Sequence, residues 1–296
     1  MKRKVIRITI MLKGEKQEVF TTEGQNTLSS TGLSVSCNLT FGNGAITPTA
    51  QITVYGLTLD KMLKLMRVQW NTMQALLNTV RIEVGNDGEE LQLAYEGNIT
   101  QATIDANAAP NIPLIITSQM AAYEKSKFSG AVTTKGGPVH LSDIAMFIAF
   151  DMGYKFTNDG VERVVSDVVL EGSSVEKLQK LAIAYDFDLY IEQKTVAICK
   201  KGGARTLKIP VISPSTGMQG YPVFDIKGIS FSCLYDPLVR FGGLIRIKDS
   251  LLGEIVNTDW RVYGYTAQLE SNIQNGRWHI NGNATWRDST DVAVQK

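Results

Sequence analysis

Apolar and polar residues alternate through most of this chain, the mark of strands that bury one face. Ile6, Ile8 and Ile10 fall on one side, and a turn at Lys13-Gly14 leads to a returning strand through Glu18-Val19-Phe20. Val35, Cys37 and Leu39 alternate next and end in Phe41-Gly42-Asn43-Gly44, a run with strong turn chemistry. Ile52, Val54 and Tyr55 predict a strand broken at Gly56. Val80-Ile82-Val84 and Leu91-Leu93-Tyr95, joined by Gly85-Asn86-Asp87-Gly88, predict a hairpin. Ile99 to Ile104 and Ile112 to Thr117 add further strands. One helix interrupts them, with Leu59, Met62, Leu63 and Met66 on an apolar face behind an N-cap at Thr58, and with Lys61, Lys64 and Arg67 toward water. Short strands joined by Gly-rich turns predict a small barrel or sandwich.

The period changes between about residues 118 and 203. Leu141, Ile144, Phe147 and Ile148 share a helical spacing that Val175, Leu178, Leu181 and Ala182 repeat. Each helix leaves through an acidic-aromatic exit, Phe150-Asp151-Met152-Gly153-Tyr154 in one and Tyr185-Asp186-Phe187-Asp188-Leu189 in the other. This duplication predicts two helix-to-strand units packed together, with Ser142 and Ser173 or Ser174 near the helix starts. Tyr190-Ile191 and Val196-Ala197-Ile198 close the region as a hairpin around Gln193-Lys194.

Strands return after Ala204, at Leu207-Lys208-Ile209, Ile229-Phe231-Cys233, Leu244 to Ile247, Arg261-Val262-Tyr263 and Trp278-His279-Ile280; the polar run Asp288 to Lys296 is expected to fray. The stretch 212–244 is densest in turns. Ser213-Pro214, Thr216-Gly217, Gly220 and Pro222 precede its strand, and Asp236-Pro237 and Gly242-Gly243 follow it. The expected division is therefore 1–117, 118–203 and 204–296: β, α/β, β.

Composition narrows the function. The 296 residues carry 30 basic and 29 acidic side chains, a net charge of +1, with 44% hydrophobic content. Such a balance gives no bulk argument for nucleic acid or an anionic membrane. Lys2, Arg3, Lys4 and Arg7 open the chain, and a solvated strand start accounts for them. There is no signal-like apolar run and no stretch of about 18 apolar residues, so no membrane anchor is expected, and synthesis and folding in a cytoplasm follow. Cys37, Cys199 and Cys233 are widely spaced, odd in number and expected as buried free thiols.

Candidate chemistry is sparse. His140 and His279 are isolated, without the paired spacing of a zinc site. No GxSxG is present, and Gly202-Gly203 and Gly242-Gly243 lack the lysine and helix of a phosphate loop. Asp151, Glu171, Asp186 and Asp188 cluster in the α/β region, and a carboxylate pair is all a glycosidase needs. Trp260, Arg261, Tyr263 and Tyr265 form the richest aromatic-basic cluster, suited to base stacking or to packing. No cofactor, metal ligand or catalytic residue is expected.

Three segments carry a family resemblance. The first is Ile52-Thr53-Val54-Tyr55-Gly56-Leu57 followed by Tyr95-Glu96-Gly97-Asn98-Ile99, and the second is Ser174 to Ala182 running on to Leu189-Tyr190-Ile191. The third is Ser213 to Met218 with Gly220-Tyr221-Pro222, continuing through Gly228-Ile229 and Leu234-Tyr235-Asp236-Pro237 to Gly242-Gly243-Leu244. In this order they resemble the baseplate hub, or tail hub, proteins of tailed bacteriophages, including the central hub of contractile tails and the gene D-type tail protein. The resemblance implies a mainly β fold with an α/β insert, and two small β-barrel domains that form a pseudo-sixfold ring when the chain is trimeric. It implies a structural virion component rather than an enzyme, assembled in the host bacterial cytoplasm. Its implied partners are a tail tube protein on one side, a central spike protein on the other and further baseplate proteins, with phage DNA passing through without sequence-specific binding. Tyr221, Tyr235, Arg240 and Arg261, aromatic or arginine side chains near turns, are the expected interface residues. A carbohydrate-active enzyme or cell-wall polysaccharide-binding module is the competing reading, and a nucleic-acid-binding barrel a more distant one.

Overall fold

The computed structural model describes residues 2–13, 17–22, 33–42, 47–66, 75–134 and 136–287. Gly14, Asn43-Gly44, Arg67 and the tail 288–296 lie outside the described residues. The chain divides into two units, residues 1–40, 49–122 and 266–279 in one and 41–48, 123–265 and 280–296 in the other.

The first unit contains β1 (Lys4–Met11), β2 (Glu18–Thr21), β3 (Ser34–Gly42), β4 (Thr49–Tyr55), α1 (Leu59–Leu65), β5 (Thr79–Asn86), β6 (Gln92–Ile104) and β7 (Leu114–Gln119). Their order is β3-β4-β7-β6-β5-β1-β2, each neighbour antiparallel. The expected β5–β6 hairpin is present, with Ile82 opposite Tyr95 and a bulge just after that pair. Gly97 lies within β6 where a Cβ would stand 2.5 Å from the Tyr95 hydroxyl and 2.9 Å from Ser118 Oγ. Those two hydroxyls bond each other at 3.1 Å, and Ser118 Oγ donates to Asn98 O at 2.7 Å, so the bare backbone makes room for a buried polar chain.

Helix α1 corrects one expectation. Met62 and Leu65 are its buried residues, whereas Leu59, Leu63 and Met66 are exposed. At seven residues it buries a two-residue stripe and leaves the other apolar face in solvent.

The second unit contains α2 (Ala122–Ser126), β8 (Phe128–Thr133), β9 (Val139–His140), α3 (Leu141–Asp151), β10 (Lys155–Asp159), β11 (Val164–Val165), β12 (Val169–Ser173), α4 (Ser174–Tyr185), β13 (Phe187–Glu192) and β14 (Thr195–Lys200). It continues with β15 (Val211–Ile212), β16 (Val223–Asp225), β17 (Gly228–Leu234), β18 (Leu244–Ile247), β19 (Asp259–Ser271) and β20 (Trp278–Trp286), the last two shared with the first unit. The C-terminal strands run β16-β17-β20-β19, with β18 on β19 and β15 on β18. Among the described residues neither unit's pairing closes into a ring. Leu207-Lys208-Ile209 is not a strand. Pro210 follows it and removes a ladder donor, so pairing starts only at Val211.

The duplicated helix-strand pattern is real. α3 leads to β10 and α4 to β13, and both strands flank β14 in one three-stranded sheet. Gly153 (φ +73°) and Asp186 (φ +53°) turn the two exits in left-handed conformations. Val175, Leu178, Leu181 and Ala182 are all buried, but Phe147 is exposed, since α3 packs through Leu141, Ile144, Ala145 and Ile148. Gln193 and Lys194 both have positive φ, as a two-residue turn of type I′ demands.

Ser173 starts α4 with a capping box. Its Oγ accepts from Glu176 N at 3.3 Å, and the Glu176 carboxylate accepts from Ser173 N at 2.8 Å. The Ser173→Ala variant is expected to lose about 1 kcal/mol, seen as a lower urea midpoint at unchanged slope.

Candidate functional site

The candidate carboxylates Asp186 and Asp188 share one cation, the Lys201 ammonium 3.5 Å from an oxygen of each, but sit in unlike surroundings. Asp186 is the exposed left-handed cap of α4, while Asp188, two residues on, is 2% exposed. Asp188 Oδ2 accepts from Arg261 Nη1 at 2.7 Å and from Gly202 N at 3.1 Å, and Lys201 lies 3.5 Å from its other oxygen. A carboxylate so enclosed is a structural anion, held by its cation and a backbone amide. Asp151 and Glu171 are exposed. No group of three or more His, Cys, Asp or Glu that could hold a metal occurs among the described residues. His140 precedes α3 without a side-chain cap bond, and on β20 burial and Arg277 lower the pKa of His279. The three thiols are buried and free, and burial raises each pKa, that of Cys233 to about 12, which keeps them unreactive.

Strand β13 is buried along its whole length. Alternation places Asp188, Tyr190 and Glu192 on one face, and that face meets the turn segments of the second unit. Arg205 Nη1 bonds Glu192 Oε2 at 2.7 Å and Phe241 O at 3.0 Å. The Tyr190 ring packs edge-on against Phe241 at 4.9 Å and fills the space where Gly242 would carry a Cβ, 2.6 Å away. The two glycine turns are therefore packing sites, not phosphate loops.

Three of the four expected interface residues converge on this seam. Arg261 is 0% exposed and bonds Asp188 and Gly203 O, which corrects the expectation of an arginine free to reach a partner. Arg240 is half-buried, hydrogen-bonded to Gln193 Oε1 and 3.8 Å from Glu192. Tyr235 is half-buried at the end of β17, and burial raises its phenol pKa. Tyr221 stands apart and is 45% exposed. The aromatic cluster is also internal. Trp260 meets Trp286 edge-on at 5.6 Å, and Tyr265 stacks on Phe41 at 4.6 Å, so neither is a platform for bases. The opening basic residues are likewise engaged within the first unit, Lys2 with Glu89, Lys4 with Asn86 and Arg3 with Asn272.

Apolar side chains are exposed at several places, among them Phe128, Phe147 and Phe150, Ile183, and Leu251 and Ile255; two further features, one in each unit, combine exposure with a defined shape. In the second, β16 forms the edge of the C-terminal strand order and hairpins into β17 through Ile226-Lys227. Val223, Phe224 and Ile226 are exposed, Ile226 fully so at 104%. Asp225 Oδ1 accepts from Lys227 N at 2.6 Å and stiffens the tip. Sequence reading missed this hairpin, although an isoleucine between Asp225 and Lys227 in a turn was the available signal. In the first unit, a groove of about 760 Å³ is lined by Tyr55, Leu57, Leu59, Met62, Ile112 and Ile273, with Ser34, Ser36, Asn111 and Glu270 as its polar lining. A smaller hollow of about 390 Å³ lies between Phe128 and Phe147. Lys177 forms its floor and is engaged with Ser129 O at 3.2 Å, Ser129 Oγ at 2.7 Å and Gly130 O, at the bulge of β8 on β12.

Comparison with known proteins points in the same direction. The sequence profile of the family described as Baseplate hub gp41 matches residues 5–282. No curated protein matches by sequence. Among solved structures, the 43 kDa tail protein of prophage MuSo2 from Shewanella oneidensis aligns with a TM-score of 0.61 at 10% identity, covering 97% of this chain and 99% of that one. The tail protein from Neisseria meningitidis MC58 gives 0.61 at 9% identity, with 98% and 99% covered. An Escherichia coli type VI secretion component, described as structurally similar to the T4 tail proteins gp27 and gp5, gives 0.59 at 8% identity, with 93% and 76% covered. At these identities the structural likenesses establish a shared fold.

Proposed function

The chain belongs to the baseplate hub gp41 family, and from that membership we propose that it is the central hub of a phage tail baseplate, joining the tail tube to the central spike. Three copies form a ring. Regions 1–117 and 204–296 of each copy supply one barrel-like wall segment apiece, and 118–203 is the α/β insert between them. Six wall segments present near-sixfold symmetry to the tube and threefold symmetry to the spike, and DNA leaves along the axis without being read. The observation that carries this reading is the family match over residues 5–282.

The physical chemistry supports it. A net charge of +1 suits a wall past which a polyanion must slide without binding. Exposed apolar groups lie at a sheet edge, Val223, Phe224 and Ile226, and beside a short helix, Leu59, Leu63 and Met66, where assembly would cover them. Other baseplate proteins are the partners this predicts, with Tyr221 among the contacts. The purified chain is expected to run as a trimer in light scattering and native mass spectrometry. A monomer at every concentration, with the fold intact by circular dichroism, would contradict the ring.

A further inference from the structure

A ring of identical chains needs a heterologous interface, in which one patch of each copy meets a different patch of the next. The exposed hairpin tip and the α1 groove described above have that relation. One is convex, the β16–β17 tip with Phe224 and Ile226; the other is concave, the groove beside α1. They differ in shape, so a two-fold contact of hairpin on hairpin would leave the groove unfilled. The tip carries one cation for the acids of the groove: Lys227 is exposed next to Ile226, its ammonium 6.0 Å from the Tyr263 ring of its own chain and Asp225 turned back onto the Lys227 amide, while Glu270 lies in the groove and Asp60 is exposed in the first turn of α1.

We propose that the Asp225–Gly228 hairpin of one copy seats in the α1 groove of the next, with Ile226 inserted between Leu59 and Ile112 and Lys227 directed at Glu270. This assignment rests on the ring reading and gives it a specific contact. It explains why α1 keeps Leu59, Leu63 and Met66 in solvent and why a turn carries a fully exposed isoleucine. It also covers the edge of β16, which among the described residues pairs with β17 alone and would otherwise template aggregation. Glu270 already accepts from Ser36 Oγ at 3.3 Å and Arg277 N at 2.8 Å, so its carboxylate is fixed in place before a partner arrives.

The test uses the full chain. Ile226→Asp and Leu59→Asp alter exposed side chains, so both variants should keep the wild-type circular dichroism and melting temperature while each loses the trimer mass. A chain carrying both Ile226→Cys and Leu59→Cys should oxidise to covalently linked trimers, because Cys37, Cys199 and Cys233 are buried. If both aspartate variants remain trimers and no cross-link forms, the hairpin-groove contact is wrong while the ring survives. The contact is equally wrong if only one variant dissociates, because the other surface then meets something else. A wild-type monomer would instead overturn the ring reading itself.

Discussion

Arg261→Ala is expected to destabilise the protein by about 3–5 kcal/mol, the usual cost of leaving one member of a buried ion pair without its partner. Arg261 and Asp188 are both essentially inaccessible to water and lie 2.7 Å apart. With the guanidinium gone, Asp188 keeps one backbone donor, Gly202 N, and Lys201 at 3.5 Å, too little to solvate a carboxylate at 2% exposure. The loss should appear in urea unfolding as a lower midpoint, and the second unit should open first in hydrogen exchange. The double variant Arg261→Met with Asp188→Leu should recover most of the stability, since a packed apolar pair replaces an ion pair at little cost. The bridge ties β13 to β19, strands far apart in sequence, so the single variant should also detach the α/β segment from the C-terminal strands. A change below about 1 kcal/mol, the range of solvent-exposed pairs, would mean that water reaches the pair.

Gly228→Val is the second severe substitution. Gly228 has φ +151°, and a Cβ there would stand 2.2 Å from Ala284 O and 2.8 Å from Thr285 Cα. The obstruction is backbone, which does not yield as a flexible side chain would. We expect a loss of about 1–3 kcal/mol from overpacking added to about 1–3 kcal/mol for a side chain in a backbone region that favours glycine, with the β16–β17 hairpin displaced from β20 and the proposed trimer lost as well. Gly88→Ala is the matched control. Gly88 also has a positive φ, +75°, but its added Cβ meets nothing within 4 Å. Only the left-handed backbone cost of about 1–2 kcal/mol then applies, and assembly should persist.

Much of the fold was legible because period-2 alternation and turn residues are local signals. The β5–β6 hairpin, β13–β14 with its Gln193-Lys194 turn, and the duplicated helices α3 and α4 all follow from neighbours in sequence. What was not legible depended on long-range contacts. Arg261 looked exposed because its buried partner, Asp188, is distant in the chain. Leu207-Lys208-Ile209 has strand composition but no strand to pair with. Leu59, Leu63 and Met66 have the spacing of a buried helix face, yet α1 is short and buries Met62 and Leu65 instead. The hairpin at Ile226 carries a local turn signal in Asp225 and Lys227, but the exposure of its isoleucine is decided by tertiary structure.

In the proposed hub, three copies of this chain make the ring between tube and spike. A cryo-electron reconstruction of the assembled tail, made without imposed symmetry, tests it most directly. Three copies are expected to encircle the channel where the tube ends, with the β16–β17 hairpin of each lying in the α1 groove of its neighbour. A copy number other than three, or density for this chain away from the tube–spike junction, would contradict it.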